Sequence, residues 1–195
     1  MIQYLFLLGA LIQLSGLVIY IKETVKGKTM PNRVTWLMWS IAPLIGTAAA
    51  FSNGVTWAVT PVFIAGIGPL LVLAASFLNK KAYWQLRSFD YLCGFFSFSA
   101  LLLWAITKNP VIAIVFAIIS DGLAAVPTLL KSWQYPETET AAVYISSFFG
   151  VLLGLSAVKQ WSFSELAFPV YLILINVLFI IFLFRNRFMK KKAIV

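Results

Sequence analysis

Seven runs of mostly apolar residues, each long enough to cross a bilayer, follow one another along this chain of 195 residues. A spanning helix needs about 20 such residues. Hydrophobic residues make up 62% of the chain and charged residues 11%, which is too little polar surface to cover a soluble domain. The sequence therefore predicts an all-α, polytopic membrane protein with seven transmembrane helices. The predicted spans are 3–21, 34–51, 57–78, 91–107, 111–130, 141–158 and 165–184.

The positions of the basic residues predict how the chain is oriented across the membrane. If the C-terminus is cytoplasmic, every lysine and arginine lies on the cytoplasmic side except Lys108 and Lys159, as the positive-inside rule requires. The N-terminus is then outside, and the first span is expected to be retained, not cleaved as a signal peptide. The expected location is the cell membrane, plasma or inner. The net charge of +9 is expected to meet anionic lipids at the cytoplasmic face, not nucleic acid.

The chain also contains a weak internal repeat. A shift of 108 residues aligns the first three spans with the last three and places Pro61 on Pro169 and Gln13 on Asp121. For the second and sixth spans, a shift of 105 residues gives an equally good alignment. The exact register of the repeat in these two spans therefore stays open. One connecting span leaves both triplets in the same orientation, as two parallel repeats. The predicted domains are a first bundle at 1–78, a linker helix at 79–110, a second bundle at 111–184 and a basic tail at 185–195.

The segment PTLLKSWQYPETE (127–139), which ends the fifth span, resembles the loop that characterises the SWEET/PQ-loop superfamily. Together with the three-plus-one-plus-three order of the spans, this resemblance implies a membrane carrier built from two three-helix bundles. It also implies hinge prolines, to which Pro127 and Pro43 are similar. The resemblance further implies a substrate-binding asparagine in the third helix of a bundle, to which Asn176 is similar.

The motif WLMW in the second span places two tryptophans on one helix face. Trp36, nearer the cytoplasm, is expected in the interfacial aromatic belt. Trp39, one turn deeper, is expected to line a cavity. The motif resembles the Trp-x-x-Trp pair of the Pnu-type vitamin transporters, which share the three-plus-one-plus-three plan.

Polar side chains inside the spans are the candidate binding groups. A carboxylate as deep as Asp121 must face the protein interior with a partner or water. It is predicted to bind a cationic or hydroxyl-rich solute or to couple protons, and the alternative is a structural bond, for which Gln13 is the candidate partner. Asn176 is predicted either to contact solute or to tie two helices together. The predicted substrate site comprises Asp121, Asn176, Gln13, Trp39 and Thr128.

Two prolines and three charged residues predict moving parts. Pro127 removes a backbone hydrogen bond from the fifth helix, which predicts either a hinge or a static kink, and Pro43 does the same in the second helix. The acids Glu137 and Glu139 precede the sixth span, where they suit the positive end of a helix. Alternatively, they pair with Lys131 or with a basic residue before the second span and latch a cytoplasmic gate.

These features together predict a small-solute transporter or facilitator that works by alternating access between two bundles around a central polar site. A membrane receptor or sensor that binds a ligand without moving it is the alternative. An enzyme is not expected, because the chain has no histidine and a single cysteine, Cys93. No cofactor and no metal are expected. The expected partners are a small solute and the lipid bilayer, and the sequence leaves a homo-oligomer open.

Overall fold

The computed structural model of the protein describes residues 5–52, 60–82, 84–107, 109–158 and 161–190. Over these residues the chain forms seven α-helices, three short 3₁₀ turns and no strand, which confirms the all-α prediction. The helices are α1 (Leu5–Val25), α2 (Arg33–Ser52), α3 (Thr60–Leu78), α4 (Ser88–Ile106), α5 (Pro110–Gln134), α6 (Ala142–Gly154) and α7 (Phe163–Lys190). The 3₁₀ turns are Lys80–Ala82, Pro136–Thr138 and Leu155–Ala157.

Some sequence predictions fall outside the described residues. These are the first residues of two predicted spans (3–4 and 57–59), Lys108, Lys159 and the last five residues of the basic tail.

Over the residues that the structure describes, four helices are long and apolar enough to cross a membrane, as expected of a membrane protein. They comprise Leu7–Val25, Ser88–Ile106, Val111–Gln134 and Phe163–Arg185. The apolar helix Ala142–Gly154 is shorter, with 13 residues. The sixth span was predicted to run to residue 158, but α6 ends at Gly154 and the chain continues as a 3₁₀ turn.

Proline lies inside four of the helices, at Pro43 in α2, Pro69 in α3, Pro127 in α5 and Pro169 in α7. Each proline lacks an N–H and therefore leaves one helical carbonyl without its usual donor. The helices continue past all four prolines. Helices in an apolar environment keep proline when neighbouring side chains bond the freed backbone.

The chain divides into two compact units. One, which we call the terminal unit, comprises Met1–Glu23 and Leu129–Val195, and the other, the middle unit, comprises Thr24–Thr128. The terminal unit thus holds nearly all of α1, the last six residues of α5, and α6 and α7. The middle unit holds α2, α3, α4 and most of α5. These boundaries differ from the predicted domain limits at 78 and 110, and the sequence repeat stays a prediction.

Within the middle unit, α2, α4 and α5 share an apolar core. Met38, Leu101 and Ala124 form its buried centre, and Trp39 and Trp104 pack against it. The helices are apolar on several faces, so the packing of α2, α4 and α5, not the spacing of apolar residues, selects which of them are buried.

A pair of serines joins α4 to α5 beside this core. Ser97 Oγ donates to the C=O of Ser120 at 2.7 Å, and Ser120 Oγ donates to the C=O of Ser97 at 2.9 Å. Small hydroxyl residues of this kind allow apolar helices to approach closely and to bond across the contact.

Candidate functional site

Pro127 lies near the end of α5 and interrupts its backbone hydrogen bonds. Because proline has no N–H, the C=O of Leu123 loses its helical donor. The helix nevertheless runs on to Gln134. The boundary of the two compact units falls between Thr128 and Leu129, directly after the proline. The missing hydrogen bond of α5 and the boundary of the units therefore coincide along the chain.

Two side chains of α2 bond the backbone of α5 just before this proline. Thr35 Oγ1 donates to the C=O of Ala124 at 2.7 Å, and Trp39 Nε1 donates to the C=O of Asp121 at 3.4 Å. Thr128 Oγ1 in turn donates to Thr35 Oγ1 at 2.8 Å. Both threonines are fully buried. We call these three bonds the brace, because they fasten α5 to α2 within the middle unit.

Three of the predicted substrate-site residues, Asp121, Trp39 and Thr128, therefore lie together in the middle unit. Asp121 and Trp39 are half-buried, whereas Thr128 is fully buried. Trp39 meets Trp36 edge-on, with ring centroids 5.2 Å apart. The prediction that Trp36 belongs to an interfacial belt is wrong, because its side chain is only 2% exposed. Trp36 packs inside the protein, although its position near the cytoplasmic end of the span had suggested contact with lipid headgroups.

Asn176 lies in the terminal unit and joins α7 to α6. Its Nδ2 donates to Ser147 Oγ at 3.2 Å and to the C=O of Leu172 at 2.7 Å, and the side chain is buried. Both protons of the amide are therefore used within the protein. These contacts are those expected of a tie between helices, and contact with a solute stays a prediction.

Gln13 also lies in the terminal unit, on a face of α1 that packs closely on α6. A Cβ added to Gly150 would lie 2.2 Å from Gln13 Cγ, and one added to Gly16 would lie 1.8 Å from Ser146 Oγ. A Cβ on Gly9 would lie 2.6 Å from the C=O of Gly150. The glycines thus allow near-contact of the two helix backbones, and Gln13 fills the space between them.

The predicted gate residues Lys131 and Glu139 form a buried ion pair in the terminal unit, with both side chains fully inaccessible to solvent. The second carboxylate oxygen of Glu139 accepts from Tyr20 Oη at 2.8 Å and from Tyr144 Oη at 3.2 Å. Tyr144 stacks on Phe179 with ring centroids 4.1 Å apart. We call Tyr20, Lys131, Glu139 and Tyr144 the ion-pair cluster.

The ion-pair cluster gives one carboxylate three donors from three parts of the chain. A buried charge is tolerated only when it is paired and its remaining lone pairs are bonded. Lys131 comes from the last turn of α5, Glu139 follows the 3₁₀ turn, and Tyr20 comes from α1. The cluster therefore fixes the end of α5 within the terminal unit. Its role as a gate stays a prediction.

The other predicted gate residues have different surroundings. Glu137 is exposed in the 3₁₀ turn before α6. Arg33, a basic residue before the second predicted span, donates from Nε to Ser76 Oγ at 3.0 Å and from Nη2 to the C=O of Ser76 at 2.8 Å. Its guanidinium also lies 3.9 Å from the centre of the Phe77 ring. Arg33 thus donates to a backbone carbonyl at the C-terminal end of α3, where the helix dipole also favours a positive charge.

A buried polar pair that sequence reasoning missed joins the starts of α2 and α4. Asn32 Oδ1 accepts from the backbone N–H groups of Val34 and Thr35. Asn32 Nδ2 donates to Asp90 Oδ1 at 2.9 Å, and Asp90 Oδ2 accepts from the N–H of Arg87 at 2.6 Å. The signal was present, since asparagine before a helix and an acid in its first turn are capping residues. Their contact across 58 residues was not visible.

Within the described residues, no group of three or more histidine, cysteine, aspartate or glutamate side chains could hold a metal ion. Comparison of the chain with models of protein families, with curated proteins and with solved structures gave no match. The resemblance to the SWEET/PQ-loop superfamily therefore rests on the 127–139 segment and on the order of the spans alone.

Proposed function

We propose that this protein moves a small polar solute across a membrane by alternating access, and that α5 bends at Pro127 during the cycle. The observation that carries the proposal is the position of Pro127 next to the boundary between the compact units. Prolines in membrane helices are frequent, but this one coincides with a division of the chain. Alternating access requires parts of the protein that move as bodies, joined by a helix that yields.

Helix α5 is held on both sides of Pro127. The brace fastens it to Thr35 and Trp39 within the middle unit, through the backbone before the proline and through Thr128 directly after it. Further along, Lys131 is held by Glu139 within the terminal unit. Motion of one unit against the other would deform α5 next to Pro127. A helix that already lacks one hydrogen bond in this region bends at lower cost than an intact one.

The solute that fits this proposal carries a positive charge or several hydroxyl groups. Asp121 provides a half-buried carboxylate, and the half-buried indole of Trp39 suits an apolar or cationic part of the same molecule. Asp121 is the acid that we assign to the solute, because it is half-buried within a helix of spanning length and its backbone is bonded by Trp39.

We further propose that all seven helices cross the membrane as two parallel repeats, with the N-terminus outside and the C-terminus in the cytoplasm. The distribution of basic residues supports this orientation. In this arrangement Gln13 and Asn176 keep the packing contacts described above.

Uptake into liposomes that contain only this protein tests the proposal. Amines, vitamins and sugars would first be screened for an increase in the melting temperature of the purified chain. A labelled compound that stabilises the chain should then enter protein-containing liposomes faster than empty ones. Stabilisation without uptake would assign the chain to the receptor or sensor class instead.

Pro127→Ala tests the hinge. The substitution restores an N–H donor for the C=O of Leu123, and one backbone hydrogen bond of about 1 kcal/mol predicts uptake slowed by about fivefold. Pro169→Ala is the matched control, because it restores the same bond in α7, which lies wholly within the terminal unit. Equal uptake by wild type and P127A, or equal losses in both variants, would show that Pro127 is a static kink.

Asp121→Asn tests the assignment of the solute carboxylate. Asparagine keeps the size and most of the hydrogen-bonding capacity of aspartate, so folding should be preserved while uptake is lost. The melting temperature without solute reports folding, and the loss of its increase with solute reports binding. Normal uptake by D121N would make the carboxylate structural.

A further inference from the structure

A second site lies at the C-terminal ends of α5 and α7, within the terminal unit. Trp133 in the last turn of α5 packs edge-on against Phe182 of α7, with ring centroids 4.9 Å apart. The guanidinium carbon of Arg185, one turn further along α7, lies 4.4 Å from the centre of the Trp133 ring. Trp133 is nevertheless 44% exposed. The two helix ends therefore present a guanidinium on a partly open indole.

Arg185 lacks a counter-charge in the part of the chain that the structure describes. No described carboxylate lies within ion-pair distance of it, and its buried Nη1 makes no hydrogen bond to a described residue. Lys131, two residues before Trp133 in the chain, is different, because it forms an ion pair with Glu139. An indole face attracts a cation but does not replace the in-plane acceptors that guanidinium N–H groups require.

An exposed apolar stripe leads along α7 to this guanidinium. Leu174, Leu178 and Ile181 precede Arg185 at spacings that put all four on one helix face. The three apolar side chains are exposed by 63%, 36% and 49%, respectively. They belong to the stretch of α7 that is long and apolar enough to cross a membrane, and Arg185 is its last residue.

We propose that Arg185 and Trp133 bind the phosphate group of one anionic phospholipid, with its acyl chains along the stripe of Leu174, Leu178 and Ile181. Arginine binds phosphate oxygens in a bidentate geometry that lysine cannot reproduce. Tryptophan favours the level of the headgroups, where one edge is polar and the other apolar. The further basic residues of the tail raise the local concentration of anionic lipid, but the site itself is the guanidinium on the indole. This inference does not depend on the transport proposal.

Native mass spectrometry of the purified full chain tests the site. The protein would be equilibrated with equal amounts of phosphatidylglycerol and phosphatidylcholine, and the retained lipid counted for each chain. Wild type should retain phosphatidylglycerol, and Arg185→Gln should lower retention by about tenfold, because a hydrogen-bonded charge contact is worth at least one factor of ten. Arg187→Gln, which removes the same charge two residues later, should stay within about twofold of wild type.

Two further measurements separate the alternatives. Arg185→Lys keeps the charge but loses the bidentate geometry, so its retention should fall between those of wild type and R185Q. Excess inorganic phosphate should leave bound phosphatidylglycerol in place, since free phosphate has no acyl chains to bury. Equal losses in R185Q and R187Q, equal retention of both lipids, or displacement by inorganic phosphate would each overturn the proposal.

Discussion

Removing the charge of Lys131 is expected to destabilise the protein more than removing the charge of an exposed lysine. Lys131→Met keeps most of the volume of the side chain but leaves the Glu139 carboxylate buried without its cation. Both side chains of the pair are fully inaccessible to solvent. The carboxylate can then neither reach water nor find a new counter-charge without local unfolding.

The expected magnitude follows from the contacts of the cluster. Breaking a buried pair by removing one partner costs about 3–5 kcal/mol. Tyr20 and Tyr144 still donate to Glu139, and hydrogen bonds to a charged group are worth about 1.5–3 kcal/mol each, so the loss should lie near the lower end, about 3 kcal/mol. Glu139→Gln alone should cost a similar amount, because it leaves the ammonium group of Lys131 buried without its counter-charge. The double variant buries no charge and should lose about 1 kcal/mol or less.

Reversible unfolding in mixed micelles of dodecyl maltoside and sodium dodecyl sulfate, followed by tryptophan fluorescence, measures these differences. Lys22→Met is the matched control, because Lys22 lies exposed on α1, and it should change the unfolding free energy by less than about 0.5 kcal/mol. The reasoning fails if K131M behaves like K22M. It also fails if the double variant is no more stable than either single variant, because the charges would then not be coupled.

Two other predictions use the same unfolding assay. Asn32→Ala removes the cap of α2 and leaves Asp90 short of a donor, which should cost about 2 kcal/mol; a loss below about 0.5 kcal/mol would mean that water replaces the amide. Gly16→Ala should cost about 1–3 kcal/mol, because its new Cβ meets Ser146 within 1.8 Å. Gly154→Ala is the matched control, because nothing lies within 4 Å of a Cβ there, and it should be neutral or stabilising by up to about 1 kcal/mol. Equal effects of the two glycine substitutions would contradict the close approach of α1 and α6.

The polar residues show how far sequence reasoning reaches. That Asn176 and Asp121 need partners follows from the cost of burying a polar group in an apolar span. Which groups satisfy them does not follow, because contacts between helices join residues that are far apart in the sequence. Asn176 bonds Ser147, 29 residues away. Gln13 lies against Gly150 in the terminal unit, and its pairing with Asp121 stays a prediction.

The ion-pair cluster makes the same point for the predicted gate. Lys131 and Glu139 are eight residues apart, so a pairing between them could be predicted from sequence. The tyrosine that completes the cluster lies 119 residues from Glu139. No local pattern marks Tyr20 as anything other than an aromatic residue near the end of a helix.

The sequence alone predicts that this chain is helical, because apolar runs of spanning length must satisfy their backbone groups internally. It also marks the prolines that interrupt the backbone hydrogen bonds of the helices, since proline lacks an N–H. The packing of α1 on α6 and the bonds from α2 to α5 became visible only in the folded chain. Helix pairing depends on the fit of small residues and on hydrogen bonds between distant positions, which periodicity alone does not encode.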